Sequence, residues 1–121
     1  MSENSKNNKP YDLEERTFEF AKKSFSYLKN LPRNSVNVEM AKQCLRSSGS
    51  VGANFIEANE ALSRKDFLMR VKICRKEAKE TIYWLRLSEP SEALEQERTG
   101  LVGEATELMK ISGSIIEKSQ K

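Results

Sequence analysis

Between Arg64 and Leu87 the chain places eight lysines and arginines against three acids, although its formal net charge is only +3. Ammonium and guanidinium groups at this density neutralise phosphates or carboxylates. With about 100° of turn per helical residue, Lys65, Lys72, Lys76, Lys79 and Arg86 fall on one face, separated by 7, 4, 3 and 7 residues. Met69 and Tyr83 fill the two vacant places on that line. Tyr83 offers a ring on which a base can stack, and Trp84 beside it reads as a packing anchor. Two explanations compete for this cationic ribbon. Lysines routinely fill solvated helix faces, and an acidic neighbouring helix can neutralise them in exposed pairs of about 0–1 kcal/mol each. The other explanation is polyanion binding, which five cations with no acid interrupting their line favour.

The remaining reactive side chains suggest less. Glu57, Glu77 and Glu80 are the possible general acids or metal ligands, with Asn54 one turn from Glu57. An ordinary hydrogen-bond network between helices, involving Arg46, Arg75 or Lys76, is the preferred explanation of such a cluster. The chain has no histidine, which excludes a Ser-His-Asp triad, a Cys-His dyad and a histidine-containing zinc site. The Glu-x-x-His pattern of di-iron bundles is missing for the same reason. Cys44 and Cys74 are too few for a disulfide framework and too far apart in sequence for a CxxC pair, so each is expected to be a small reduced hydrophobe. Neither a GxxxxGK[ST] nor a GxGxxG motif occurs. The expectation is a protein without catalysis, cofactor or metal.

The elements that position these residues follow from periodicity and punctuation. Residues 1–10 are polar and aperiodic and read as a disordered tail. A first helix over about 11–31 carries Phe18, Ala21, Phe25 and Leu28 on one line and Phe20, Tyr27 and Leu31 on a second beside it; Pro32 ends it. A second helix over about 36–62, with Ser35 as N-cap, has Ala41, Leu45, Phe55, Ile56 and Leu62 marking its expected buried side. Its middle crowds Ser47, Ser48, Gly49, Ser50, Gly52 and Ala53 together. Interior glycines cost about 1 kcal/mol each relative to alanine, so either the helix kinks here or another backbone approaches closely; the unbroken pattern favours close packing. Ser63 caps a third helix over about 64–88, with Asp66 placed for a capping box. Opposite its ribbon, Phe67, Val71, Cys74, Ala78, Ile82 and Leu85 form the expected core stripe. A third flank, with Ile73 and Trp84 beside Asp66 and Glu77, suggests a second contact surface. Pro90 closes that helix, and a fourth spans about 92–117 with Leu94, Leu101, Ala105, Leu108, Ser112 and Ile115 on one side.

Short connections between helices of this length predict an all-α, antiparallel up-down four-helix bundle, one domain over residues 11–118. Charge is segregated along it: residues 63–88 carry +5 and residues 89–121 carry −3, while the first two helices balance. No run of 18 apolar residues and no secretory leader is visible, and a cytoplasmic location is the economical expectation.

The stretch RSSGSVGANFIEANEALSRKDFLMRVKICRKEAKETIYWLRLS resembles the central region of the four-helix-bundle proteins encoded by intervening sequences of bacterial 23S rRNA genes. The similarity rests on the small residues 47–53, Asn54-Phe55-Ile56-Glu57, the Ser63-Arg64-Lys65-Asp66-Phe67 helix start, and Lys76-Glu77-Ala78 followed by Glu80-Thr81 and Trp84-Leu85. It covers about residues 10–118. Where members often carry glycine after the Asn-x-x-Glu unit, this chain has Ala58 and Asn59. The accessory protein of diversity-generating retroelements, a basic pentameric barrel that engages a reverse transcriptase and RNA, is similar as well. The resemblance implies a cytosolic homo-oligomer, a pentamer, without catalysis, and it supplies no catalytic residue.

Two functions are therefore expected to compete. The first is a nucleic-acid-binding oligomer, with RNA as ligand, using Lys65, Lys72, Lys76, Lys79, Tyr83 and Arg86. The second is a protein-binding adaptor, for example for a reverse transcriptase. An enzyme built on Glu57, Glu77 and Glu80 is a distant third.

Overall fold

Caps and prolines set the helix boundaries. The computed structural model describes residues 10–120, and among these α1 spans Pro10–Lys29, α2 Ser35–Asn59, α3 Arg64–Leu87 and α4 Glu95–Ser119, with a 3₁₀ turn at Glu92–Leu94 leading into α4. The polar stretch 1–10, expected to be disordered, lies outside the described residues except for Pro10. At the start of α3 the Ser63 hydroxyl accepts from the Asp66 N–H at 3.0 Å, as its cap position requires. The cap of α2 is Asn34 and not Ser35: its side-chain oxygen accepts from the Asn37 N–H at 2.8 Å. Asparagine is among the strongest N-caps, and it displaces the expected boundary by one residue. Despite its two glycines α2 runs unbroken through Ala58 and Asn59, with no described residue at positive φ.

Each helix packs antiparallel against its neighbours in chain order, α2 on α1 and α3, and α3 on α4, while α1 and α4 meet more sparsely. The cross-links run in opposite directions along paired helices: Val51 and Ser47 of α2 meet Cys74 and Thr81 of α3. This is the antiparallel up-down bundle that the spacing predicts.

The core is Leu13, Phe20, Tyr27, Val51, Phe55, Val71, Ala78, Leu85, Leu101 and Leu108 with their neighbours. On α3 and α4 it follows the expected stripes. On α1 it follows the second expected line, Phe20 and Tyr27, with Leu28 of the first, and on α2 it keeps Phe55 but not most of the expected side. Phe18 is 55% exposed, and the buried line of α1 is Leu13, Thr17, Phe20, Ser24 and Tyr27. On α2, Leu45 and Ile56 are each 48% exposed and Leu62 is fully so, whereas Asn37, Cys44, Ser47, Ser48, Val51 and Ala58 join Phe55 inside. The buried face of α2 is small and polar because its neighbours come close. A Cβ built on Gly52 would lie 2.9 Å from Thr17 Oγ1 and 3.2 Å from Thr17 Cβ, so glycine is needed for the α1–α2 contact. A Cβ on Gly49 would meet only Phe25 Cζ at 3.6 Å, an ordinary contact.

Three sets of buried polar groups are tied off across helices, while the Ser24 hydroxyl is buried without a partner. Thr81 Oγ1 donates to Ser47 Oγ at 2.7 Å. Tyr27 O–H donates to Ser88 Oγ at 2.6 Å, and that hydroxyl donates to the Leu85 carbonyl. Asn37 joins two loops, donating to the carbonyls of Pro32 and Glu89 at 2.8 and 2.9 Å and accepting from the Glu89 N–H at 2.8 Å. Cys44 and Cys74 are free and buried, and burial pushes both thiols up to about 12. They are the inert hydrophobes expected of them. No described helix is long and apolar enough to cross a membrane.

Candidate nucleic-acid interface

Helix α3 is held from one side and open on the other. Its inner face buries Val71, Cys74, Ala78 and Leu85. The side toward α2 carries an ion cluster. Arg46 of α2 donates to Glu77 Oε1 at 3.3 Å and pairs with Glu80 through its second terminal nitrogen. Glu80 Oε2 also accepts from Trp84 Nε1 at 2.9 Å. Glu77, on the flank expected to be a second contact surface, is only 6% exposed, and Arg46, itself half exposed, neutralises it. Two turns along the same seam, Arg70 donates to Asn54 Oδ1 at 3.1 Å, and Asn54 donates to the carbonyl and hydroxyl of Ser50.

This seam accounts for two of the three carboxylates that a catalytic or metal reading would need. Arg46 provides the inter-helix network, and Arg75 and Lys76 take no part in it. Glu57 is exposed and does not join Glu77 and Glu80 in the cluster. Among the described residues no group of three or more cysteine, aspartate or glutamate side chains is arranged to hold a metal ion. Trp84 is partly buried, fixed through its indole N–H, and meets the Tyr83 ring edge to face at 5.0 Å between centroids.

The outward face is the ribbon. Lys65, Lys72, Lys76, Lys79, Tyr83 and Arg86 are all exposed, and Tyr83 retains 57% of its surface. None of the five cations lies within 4.0 Å of a described carboxylate. Of the three acids next to ribbon lysines in sequence, Glu77 and Glu80 are drawn to Arg46, while Asp66 stays beside Lys65 without an ion pair. The acids of α4 do not neutralise the ribbon either. Glu104 takes a bidentate pair with Arg16 of α1 at 2.7 and 2.9 Å, while Glu95 and Glu107 pair within α4 with Arg98 and Lys110.

At the N-terminal half of the ribbon an open hollow of about 640 Å³ on the surface of α3 is lined by Lys65, Lys72 and Lys76, by Leu68, Met69 and Ile73, and by Asp66. A second hollow of about 680 Å³ lies where α1 and α4 part, between Arg16 and Lys23 on one side and Glu97 and Glu104 on the other. Its mixed signs select no anion.

The sequence pattern thus located the exposed cations and offered Arg46 among three candidate partners; the structure selects Arg46 as the residue that holds Glu77 and Glu80 away from them. The signal was present: Glu77 and Glu80 sit at i,i+3, a spacing that puts two carboxylates on one side of a helix.

Residues 9–114 match the family model described as 23S rRNA-intervening sequence protein. A protein of unknown function from the S23 ribosomal protein family of Bacteroides thetaiotaomicron, known from a crystal structure, is similar at 36% identity and a TM-score of 0.75. The match covers 89% of this chain and 97% of that one. No curated protein matches.

Proposed function

This chain belongs to the 23S rRNA-intervening sequence protein family, and from that premise we propose that it is a non-enzymatic, homo-oligomeric RNA-binding protein acting through the outward face of α3. The observation that carries this reading is the ribbon: five exposed cations spread over six turns of one helix, with no carboxylate within ion-pair distance. Phosphates satisfy such an array without base-specific geometry, so binding depends on charge more than on sequence. If one subunit meets five phosphates of a single strand, log K falls with log salt at a slope of about −3.5. Assembly into a ring, a pentamer by the resemblance above, repeats the ribbon and strengthens its field. The half-exposed Phe18, Leu45 and Ile56 on α1 and α2 support such self-association.

The test is the triple variant Lys72→Glu, Lys76→Glu, Lys79→Glu. It is expected to lose retention on immobilised RNA while keeping the helical circular dichroism of the parent. Retention equal to the parent's refutes the ribbon. The same apolar side chains on α1 and α2 also favour a second reading, an adaptor for a protein such as a reverse transcriptase; a partner that stays bound after nuclease treatment, with no RNA retention by the parent, selects it.

A further inference from the structure

Resting on that reading, we propose that the ribbon takes single-stranded nucleic acid with an unstacked base seated between Lys65, Lys72 and Lys76, and not a duplex. A surface that only neutralised phosphates would need no apolar side chains among its cations. Here the three lysines share an open hollow of about 640 Å³ on the surface of α3 with the apolar side chains of Leu68, Met69 and Ile73. Met69 is exposed and Ile73 and Leu68 are half-buried, so apolar surface reaches the solvent beside the ammonium groups. Apolar, polarizable side chains beside cations fit the face of a nucleobase whose own phosphates lie within reach of the rim.

A duplex cannot use this arrangement. Its bases are stacked inside, and an A-form helix presents to a protein chiefly phosphates and 2′-hydroxyls across a wide shallow groove. An extended strand can follow a straight rod, and the ribbon from Lys65 to Arg86 rises roughly 32 Å along α3. Two cradles lie on that path: the lysine-lined hollow near the N-terminal end and the exposed ring of Tyr83 nearer the other, with Lys76 and Lys79 between them. Asp66 also lines the hollow, on the side away from Lys72, and excludes a phosphate there. The strand is thereby confined to the lysine side.

The experiment measures anisotropy of a labelled, unstructured twelve-nucleotide oligouridine, the corresponding oligodeoxythymidine, and a twelve-base-pair RNA duplex, with the full-length protein in one buffer. The expected result is single strands bound at least ten-fold more tightly than the duplex. Met69→Ala with Ile73→Ala should reduce that preference roughly ten-fold and leave the salt slope unchanged, as loss of stacking does. Similar affinities for oligouridine and oligodeoxythymidine mean the strand itself is recognised and support the proposal; a single strand bound only as RNA also supports it and adds the 2′-hydroxyl. Duplex bound as tightly as strand, or a preference untouched by the double variant, overturns the seat while the ribbon stands. Binding of none of the three overturns both.

Discussion

Helices α3 and α4 are neighbours of opposite charge, yet no ion pair within 4.0 Å joins them among the described residues. Glu95 and Glu107 of α4 are used within that helix and Glu104 on Arg16 of α1. Glu77 and Glu80 of α3 turn to Arg46 of α2. Net charge along the sequence therefore says little about pairing; the angular position of each side chain decides it. A helix that keeps its acids on one seam and its lysines on another behaves as a cation on the side it offers to solvent.

Several substitutions separate the two helices. The largest expected effect is on RNA affinity: Lys72→Glu, Lys76→Glu, Lys79→Glu should lower it by at least a hundred-fold, while Glu92→Gln with Glu97→Gln on the α4 side changes it less than about three-fold, both read by filter binding. A comparable effect of the two sets would mean that overall charge, not the ribbon, governs binding.

Next is the cluster that keeps the acids aside. Arg46→Ala leaves Glu77 buried without its partner and should cost about 2 kcal/mol in urea unfolding. Adding Glu77→Gln should recover part of this. Arg16→Ala removes a pair between α1 and α4 whose carboxylate, unlike Glu77, stays in reach of water, and should cost about 1 kcal/mol. Equal losses would show that the two seams are held alike.

The glycines give a smaller contrast. Gly52→Ala drives a methyl into Thr17 and should lower stability by about 1–2 kcal/mol. Gly103→Ala, with nothing within 4 Å of its added Cβ, should raise stability by up to about 1 kcal/mol through helix propensity. Thermal melts of the two variants should shift in opposite directions.

The thiols supply a pH test. Their folded values, about 12, exceed the unfolded thiol's, about 8.5. The unfolded chain thus loses protons first, and stability present below that value falls as pH rises toward 12, by on the order of 1 kcal/mol per pH unit for each thiol. Cys44→Ala with Cys74→Ala should flatten the fall between pH 9 and 11. At neutral pH neither native thiol should react with a thiol reagent until the protein is unfolded.

Helix number, order and most boundaries were legible because Pro32, Ser63 and Pro90 act locally. The stripes of α3 and α4 were legible because their apolar residues are the ones they bury. The register of α2 was not, and that of α1 only in its second line, Phe20 and Tyr27. Close approach places Thr17 and Gly52 between α1 and α2 and Ser47 against α3, and leaves Phe18, Leu45 and Ile56 facing outward. A count of hydrophobic residues then points to the wrong side of α2 and to one wrong line of α1. The ribbon was legible because lysines at helical spacing need only a helix to align them. That its lysines are unpaired was not, since pairing depends on Arg46 and Arg16, on two other helices.

The salt dependence of binding tests the central claim most directly. For oligouridine titrated at several salt concentrations, the parent should give a slope of log K against log salt of about −3.5, and Lys72→Gln, Lys76→Gln, Lys79→Gln one shallower by about 2. A slope near zero in the parent, or the same slope in both proteins, would contradict the assignment of these lysines to phosphate.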